Sequence, residues 1–248
     1  MSIRKSIVLI CLLLVILTIC RMPASLVTRF LESNPDIPIT LLNASGTLWD
    51  GNGRISNKAI KEVNISWSIP IFDILLLSPS VIWKLDNSDS VLQGKSSISD
   101  KKITTVLSGT IGSVFLNRIF SEYDVRLDGS LSIEGISVVT DLSKSFLINQ
   151  LDGLAIWTGG EVTYMLAKSP VTIMSPVFEL ELFNKTPSII DARLNSSSYS
   201  FPLLLASLTE RGNLNVKVTK AFTEIFGNKW PGQEAEENIV LELEEYIF

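Results

Sequence analysis

The residue types that carry out most catalytic and metal chemistry are scarce in this chain of 248 residues. Histidine is absent, and both cysteines, Cys11 and Cys20, lie in an apolar N-terminal stretch. Zinc, copper and haem sites are usually built from histidine and cysteine ligands. We therefore expect no metal site, no cofactor and no thiol chemistry in the rest of the chain.

Two arrangements could still support hydrolysis without histidine. Ser99 and Lys102 have the spacing of a serine nucleophile with a lysine base, but they stand in a polar stretch that is typical of a solvated loop. Glu179 and Glu181 are two residues apart, so on a strand they share one face and do not flank a cleft. The sequence predicts no catalytic residues, and we expect the protein not to be an enzyme.

Two glycine motifs resemble parts of nucleotide sites. Gly94-Lys95-Ser96 matches only the end of a phosphate-binding loop, because Asp89 stands where that loop needs its first glycine. Gly51-x-Gly53 lacks the third glycine and the following helix of a dinucleotide site. Both motifs are predicted to be surface turns.

The charge balance argues against one class of partner. Residues 1–32 hold four of the 21 basic residues and one of the 26 acidic residues. The rest of the chain therefore carries 17 basic and 25 acidic residues, a net charge of −8. Such a domain repels phosphate backbones, and no basic cluster is interleaved with aromatic residues. We expect no binding to nucleic acid.

The N-terminal segment favours a membrane anchor. Residues 6–20 carry no charge, and Arg4 and Lys5 precede them, which predicts a cytoplasmic N-terminus. A helix over these residues spans about 22 Å, short of a hydrocarbon core of roughly 30 Å, so the anchor requires the helix to continue through Arg21 toward Val27. We expect a cytoplasmic N-terminus at 1–5, a transmembrane signal-anchor at 6–27 and a periplasmic β-rich domain at 28–248.

Two alternatives to an uncleaved anchor are weighed against it. Cleavage by a signal peptidase needs small residues just before the cut, and the stretch ahead of Pro23 has no small-x-small site. Lipidation at Cys20 needs a small residue in front of it, where bulky Ile19 stands. A cysteine-free exported domain is typical of the bacterial periplasm, so we expect a protein of the bacterial inner membrane.

Alternation of apolar and polar residues dominates the rest of the chain and predicts strands. It is clearest in Phe178–Leu182, Leu214–Val218 and Val240–Leu243. Further strands are predicted at Gly46–Trp49, Ile60–Trp67, Val81–Leu85, Lys102–Leu107, Gly135–Thr140, Ala155–Tyr164 and Ile189–Leu194. A hairpin over Val125–Ile133 is predicted to turn at Asp128-Gly129. Short helices are predicted at Phe72–Leu77, Ile111–Phe120 and Pro202–Thr209.

Because no long helices separate the predicted strands, their connections should be antiparallel. No proline-rich or low-complexity linker divides the chain after residue 28, which favours one domain. The predicted fold class is mainly β. It consists of a single N-terminal transmembrane helix followed by an elongated, curved antiparallel β-sheet domain with a few short helices.

A short pattern occurs twice in the sequence. Leu48-Trp49-Asp50-Gly51 is echoed by Ile156-Trp157-Thr158-Gly159. A tryptophan that faces the core beside a glycine-rich turn would fix the register of a hairpin. We interpret both tryptophans as buried residues at edge turns with a structural role.

Together these features resemble the type II secretion system protein N family of Gram-negative bacteria. The basic start and the single anchor are followed by Pro23-Ala24-Ser25-Leu26, and the layout is similar across nearly the whole chain. The motif residues that carry the resemblance are Gly46, Thr47, Leu48, Trp49, Gly51, Trp67, Trp157, Gly159 and Gly160. Because the family has no known catalytic residues, these residues are expected to be structural.

The resemblance implies a single-pass, non-enzymatic protein of the inner membrane that helps to export folded proteins from the periplasm. Its partners would be other type II secretion components. These are the inner-membrane platform, the component that contacts the secretin, or the secretin itself. The implied role of the periplasmic domain is that of a scaffold or interaction module.

A second function fits the same strand pattern. A curved antiparallel sheet with one apolar face would suit a periplasmic β-groove protein that binds or transfers lipid or acyl chains. The two functions differ in whether one set of apolar residues packs against a second layer or lines an open trough. These residues are Phe178, Leu180, Leu182, Leu214, Val216 and Val218.

Overall fold

Antiparallel strands make up most of the computed structural model, which confirms the predicted mainly-β fold. The structure describes residues 10, 13–15, 17–34, 39–57, 61–75, 77–141, 147–166, 169–186, 189–227 and 229–246. Backbone contacts divide the chain into two compact units, Met1–Asn87 and Ser88–Phe248, where the sequence favoured one domain. We call them the N-terminal unit and the C-terminal unit.

Four antiparallel strands of the N-terminal unit pair in chain order, β1-β2-β3-β4. From Ser25 onward, its described elements are α1 (Ser25–Glu32), β1 (Thr40–Gly46), β2 (Asp50–Asn57), β3 (Lys61–Ser68), α2 (Ile71–Leu75) and β4 (Ser80–Asp86). Strands β3 and β4 and helix α2 agree with the predicted elements apart from their end residues. Strand β2 was not predicted.

One face of this sheet is apolar because side chains alternate between the two faces of each strand. Leu41 lies opposite Ile55, and Trp67 lies opposite Trp83 on the neighbouring strand. The buried cluster consists of Ala24, Leu41 and Trp67. Helix α1 packs against this cluster through Val27 and Leu31, so it covers part of the apolar face.

The C-terminal unit contains a nine-stranded antiparallel sheet and a separate three-stranded one among the described residues. The large sheet has the order β5-β6-β8-β9-β12-β13-β14-β15-β16 and the small sheet the order β11-β10-β7. The strands up to β10 are β5 (Val91–Ser99), β6 (Lys102–Ile111), β7 (Arg126–Leu127), β8 (Leu131–Asp141), β9 (Leu147–Trp157) and β10 (Gly160–Leu166). The later strands are β11 (Ser169–Ser175), β12 (Phe178–Thr186), β13 (Ile189–Asn195), β14 (Leu204–Thr209), β15 (Asn213–Thr219) and β16 (Ile239–Tyr246). The helices are α3 (Ser113–Phe120) and α4 (Lys220–Ile225).

The large sheet carries a row of apolar side chains that crosses five strands. Leu180 on β12 lies opposite Leu194, which in turn lies opposite Leu204, and Val218 and Leu241 continue the row. At its β12 end this apolar face is covered, because Phe178 is buried in a cluster with Leu203 and with Ala221 of α4. Towards β16 it opens to solvent, where the exposed residues are Leu241 and Leu243.

The six residues that separate the two candidate functions therefore divide between covered and open positions. Phe178 and Val218 are buried, whereas the other four are half-buried: Leu180, Leu182, Leu214 and Val216. The apolar face of the C-terminal unit is neither a fully covered core nor a fully open trough. It does not by itself decide between a scaffold and a lipid-binding protein.

The predicted anchor lies only partly within the described residues. Residues 1–9, 11, 12 and 16 lie outside them, and residues 10, 13–15 and 17–20 are helical. The expected continuation of the helix from Arg21 to Val27 is wrong, because Pro23 forms an isolated bridge with Thr47 and α1 begins at Ser25. Proline has no amide hydrogen to continue a helical ladder. Among the described residues, no helix has the length and apolar character that a membrane crossing requires.

Several predicted patterns differ from the local structure. Residues 47–49 of the strand predicted at 46–49 form the turn between β1 and β2. The strand predicted at 155–164 is confirmed except at 158–159, where the chain passes from β9 to β10. The glycine motifs predicted as surface turns lie in strands, Gly51 and Gly53 in β2 and Gly94 in β5. At both Gly51 and Gly53 a neighbouring side chain lies against the backbone and leaves no room for a Cβ. An added Cβ would lie 2.5 Å from the Trp67 ring at position 51 and 2.9 Å from Leu41 at position 53.

Two predicted elements are overturned by strand pairing. The hairpin at Asp128-Gly129 does not form, because β7 pairs with β10 of the small sheet and β8 pairs with β6 and β9 of the large sheet. Residues 204–209 of the predicted helix at 202–209 form β14, which is hydrogen-bonded to β13 on one side and β15 on the other. In both cases the pairing within a sheet overrides the local propensity.

Candidate functional site: the Gly46–Gly51 turn and an apolar groove

The first motif residues form a tight turn between β1 and β2. The Thr47 backbone N–H donates a hydrogen bond to the Asp50 carbonyl oxygen at 2.7 Å. Gly46 has a φ of +89°, and an added Cβ there would lie 2.6 Å from the same oxygen. Glycine is therefore required at position 46 both by backbone conformation and by close approach.

This turn binds the chain segment that follows the N-terminal helical residues. The Leu48 N–H donates to the Met22 carbonyl at 2.8 Å, and the Ala24 N–H donates to the Gly46 carbonyl at 3.2 Å. The indole Nε1–H of Trp49 donates to the Ile19 carbonyl at 2.7 Å. Three hydrogen bonds thus attach residues 19–24 to the turn.

Trp67, in β3, connects the turn to the sheet. Its side chain is only 9% exposed, and its Nε1–H donates to the Leu48 carbonyl at 3.1 Å. Its ring lies over Gly51, which leaves no room for a side chain at that position. The first six motif residues, Gly46, Thr47, Leu48, Trp49, Gly51 and Trp67, therefore form one structure.

Beside Trp67, the N-terminal unit has an apolar groove between α1 and the sheet. It has a volume of about 440 Å³, within the usual range for small-molecule sites. The described residues that line it are all apolar: Val27, Leu31, Ile39, Leu41, Leu48, Ile55, Ile65, Trp67, Ile69, Val81, Trp83 and Leu85. The groove offers hydrophobic contact and suits an apolar ligand.

The second group of motif residues lies in the C-terminal unit, where the chain passes from the large sheet to the small one. Trp157 ends β9 and packs against the cluster of Phe178, Leu203 and Ala221. Gly159 has a φ of +76°, and its carbonyl oxygen would lie 2.2 Å from a Cβ added at Gly129. The two crossings between the sheets, at 128–130 and 158–160, therefore run in direct contact.

The two tryptophan patterns do not occupy equivalent positions. Trp49 lies in a turn that holds residues 19–24, whereas Trp157 ends a strand beside a crossing between two sheets. The interpretation of both as buried residues at edge turns is correct only in part, since both are half-buried. Trp49 does lie in the turn of a two-strand hairpin, β1–β2, whereas Trp157 does not.

The residues considered for hydrolysis occupy ordinary strand positions. Ser99 ends β5 and Lys102 begins β6, with a two-residue turn between them. Glu181 lies on the half-exposed side of β12, where its carboxylate is 3.7 Å from the Arg193 guanidinium. Within the part of the chain that the structure describes, no group of three acidic, histidine or cysteine residues could hold a metal ion.

A second cavity, of about 650 Å³, lies in the C-terminal unit between α3 and the small sheet. One of its lining residues, Asn117, is already engaged, because its side chain donates to the Leu127 carbonyl and accepts from the Leu127 N–H. Asp124 and Arg126 also line the cavity. The apolar groove has the more uniform chemistry and is the better candidate for a binding site.

The edge strand β16 has a distinct electrostatic character. Its Glu242 accepts hydrogen bonds from the Asn215 amide at 2.9 Å and from the Lys217 ammonium at 3.1 Å. These hydrogen bonds, with that of Asn215 the larger cause, hold the pKa of Glu242 below its ordinary value. The carboxylate therefore stays charged at neutral pH on the exposed edge of the large sheet.

Comparisons with protein-family models, with curated proteins and with solved structures found no match to this chain.

Sequence reasoning missed the groove, and it missed Val27 and Leu31 as part of it. The motif drew attention to Gly46–Gly51, but the groove depends on α1 lying against the sheet. The signal that could have found it is the spacing of Ala24, Val27 and Leu31, which puts three apolar residues on one helix face.

Proposed function

We propose that the protein is a non-enzymatic, single-pass component of the bacterial type II secretion system, anchored in the inner membrane by its N-terminal helix. The resemblance of Gly46–Gly51, Trp67 and Trp157–Gly160 to the protein N family supports this proposal. On this proposal both β-rich units lie in the periplasm. They act as a scaffold during export of folded proteins across the outer membrane.

The observation that carries the proposal is the attachment of residues 19–24 to the Gly46–Trp49 turn. A membrane-anchored scaffold needs a firm junction between its anchor and the folded unit that follows, because a flexible linker would leave that unit free to rotate. The hydrogen bonds of Leu48, Ala24 and Trp49 supply this junction for the N-terminal unit. Three of the residues that carry the family resemblance, Gly46, Leu48 and Trp49, take part in these hydrogen bonds.

The exposed edge of β16 is the proposed partner surface. Leu241 and Leu243 are exposed on one face of this strand, and Glu242 and Glu244 alternate with them on the other. An edge strand presents unpaired backbone groups that a strand from another chain can join. The acidic residues favour a partner strand with basic side chains and disfavour pairing of two copies of β16.

Export in intact cells tests the proposed role. In the native bacterium, deletion of the gene is expected to leave folded type II cargo in the periplasm, and the wild-type gene is expected to restore its release. Gly46→Val should fail to restore release although the variant reaches the membrane, because the added side chain opens the turn that holds residues 19–24. The measurement is the fraction of a cargo enzyme found in the medium.

Gly227→Ala is the matched control for this experiment. Gly227 also has a positive φ, +74°, but an added Cβ there meets no atom within 4 Å. This variant should restore release as well as the wild type does. Normal release from the deletion strain itself would refute the proposed function.

A further inference from the structure

The described residues offer no polar group in the apolar groove of the N-terminal unit that a water cluster could use. Those that line it are all apolar, and the Nε1–H of Trp67 is already bonded to the Leu48 carbonyl. Water in a protein cavity needs two to four polar partners, so a groove of about 440 Å³ with this lining favours a hydrocarbon occupant. A flexible alkyl chain satisfies the site with van der Waals contact alone.

Apolar residues near the groove are exposed on the same unit. They belong to α2 and to the chain just beyond it, and Phe72 and Leu77 are 78% and 89% exposed. Ile71 and Ile74 are exposed as well. Large apolar side chains in a short exposed helix are typical of a segment that lies in the membrane interface.

This exposed segment is connected to the end of the N-terminal helical residues through Trp49. The Ile69 N–H donates to the Trp49 carbonyl at 2.6 Å, and the Trp49 indole donates to Ile19. Ile69 also lines the groove. If residues 6–20 lie in the membrane, these hydrogen bonds hold Trp49 and the segment from Ile69 to α2 next to the end of the anchor. The groove, which Ile69 lines, then lies near the bilayer surface.

The charge around α1 matches one kind of lipid. Arg21 precedes α1 and Arg29 lies in its last turn, and both side chains are exposed. Guanidinium groups bind phosphate through paired hydrogen bonds. A phospholipid could therefore place an acyl chain in the groove while its phosphate stays near cationic side chains at the membrane surface.

We propose that the groove between α1 and the sheet binds one acyl chain of a membrane phospholipid. The inference rests on the membrane anchor of the proposed function and is independent of the role in secretion. It makes the N-terminal unit a lipid-binding module seated on the bilayer. The acyl chain would then cover the apolar side chains of the groove, which are otherwise open to water.

The test uses the full chain in nanodiscs that contain phosphatidylglycerol with a photoreactive diazirine in one acyl chain. After illumination, crosslinked peptides are identified by mass spectrometry. The wild type should be labelled on the N-terminal helix and also on groove peptides from α1, β3 and β4. Val81→Phe should lose the groove labelling and keep the helix labelling, because the larger side chain fills the groove.

Ile82→Phe is the matched control, since Ile82 neighbours Val81 in β4 but is 48% exposed and does not line the groove. It should be labelled like the wild type. Leu31→Trp fills the groove from the α1 side and serves as a second variant if circular dichroism shows that Val81→Phe is misfolded.

Two results would overturn the inference: no labelled groove peptide in the wild type, or groove labelling in both filled variants that equals that of the wild type. The export experiment is read separately. Loss of groove labelling with normal cargo release, or the reverse, distinguishes failure of this inference from failure of the proposed function.

Discussion

Replacing Trp67 by alanine is expected to lower the free energy of unfolding of the N-terminal unit by about 3–5 kcal/mol, the usual range for removing a large buried aromatic side chain. Trp67 is 9% exposed, covers Gly51 and donates a hydrogen bond to the Leu48 carbonyl. Its loss removes both the core of the unit and the support of the turn. Urea denaturation of the full chain in detergent micelles, followed by circular dichroism, measures the change.

Two further variants, Trp67→Phe and Trp49→Phe, separate the effect of side-chain packing from that of hydrogen bonding. Trp67→Phe keeps an aromatic ring over Gly51 but loses the bond to Leu48, so its effect should be smaller than that of alanine. Trp49→Phe loses only the hydrogen bond of a half-buried side chain to Ile19, about 1 kcal/mol. A change of less than about 1 kcal/mol for Trp67→Ala would show that this residue is not part of the core.

Replacing Gly129 by alanine is expected to have the second large effect and to lower the free energy of unfolding of the C-terminal unit by about 2–5 kcal/mol. Alanine in the left-handed region costs about 1–2 kcal/mol, and overpacking costs about 1–3 kcal/mol more. Gly129 has a φ of +87°, and an added Cβ would lie 2.2 Å from the Gly159 carbonyl oxygen. Because the Cβ position is fixed by the backbone at 129 and the oxygen belongs to the backbone at 159, the clash cannot be relieved without disturbing a crossing between the sheets.

Gly135 supplies the control for this prediction. It has a φ of +69°, but no atom lies within 4 Å of an added Cβ. Gly135→Ala should therefore lower the free energy of unfolding by only about 1–2 kcal/mol, the cost of placing alanine in the left-handed region. Equal losses in the two variants, measured by the same denaturation experiment, would mean that the contact between Gly129 and Gly159 is unimportant.

Local alternation was a reliable guide wherever a strand pairs with its neighbours in the chain. The patterns at 178–182, 189–194 and 214–218 all lie in strands of the large sheet, β12, β13 and β15. In each of them one face is apolar and the other polar, and the period of two follows directly from strand geometry. Antiparallel pairing was also predictable, because few residues separate these strands.

The errors arose where pairing within a sheet overrides local preference. Asp128-Gly129 has the composition of a hairpin turn, yet it joins strands of different sheets because β10 supplies the partner of β7. Gly94 has the composition of a turn but lies inside β5, opposite Leu107 of β6. The partner of a strand and its register are not reported by composition and periodicity.

The candidate site was predictable in part. The motif Gly46–Gly51 and Trp67 was singled out, and the structure brings these residues together. Their attachment to residues 19–24 was not foreseen, because it depends on the break at Pro23 that the sequence analysis did not expect. The groove was missed for the same reason, since α1 exists as a separate helix only after that break.

The most direct test of the central proposal is site-specific crosslinking from β16 in intact cells. A photoreactive residue at Leu243 should crosslink to a protein of the secretion platform or to the secretin, identified by mass spectrometry after purification in detergent. The same residue at Val106, which is exposed elsewhere in the C-terminal unit, is the control and should not form this crosslink. Crosslinks from Leu243 to lipid alone, or to no secretion component, would contradict the scaffold function.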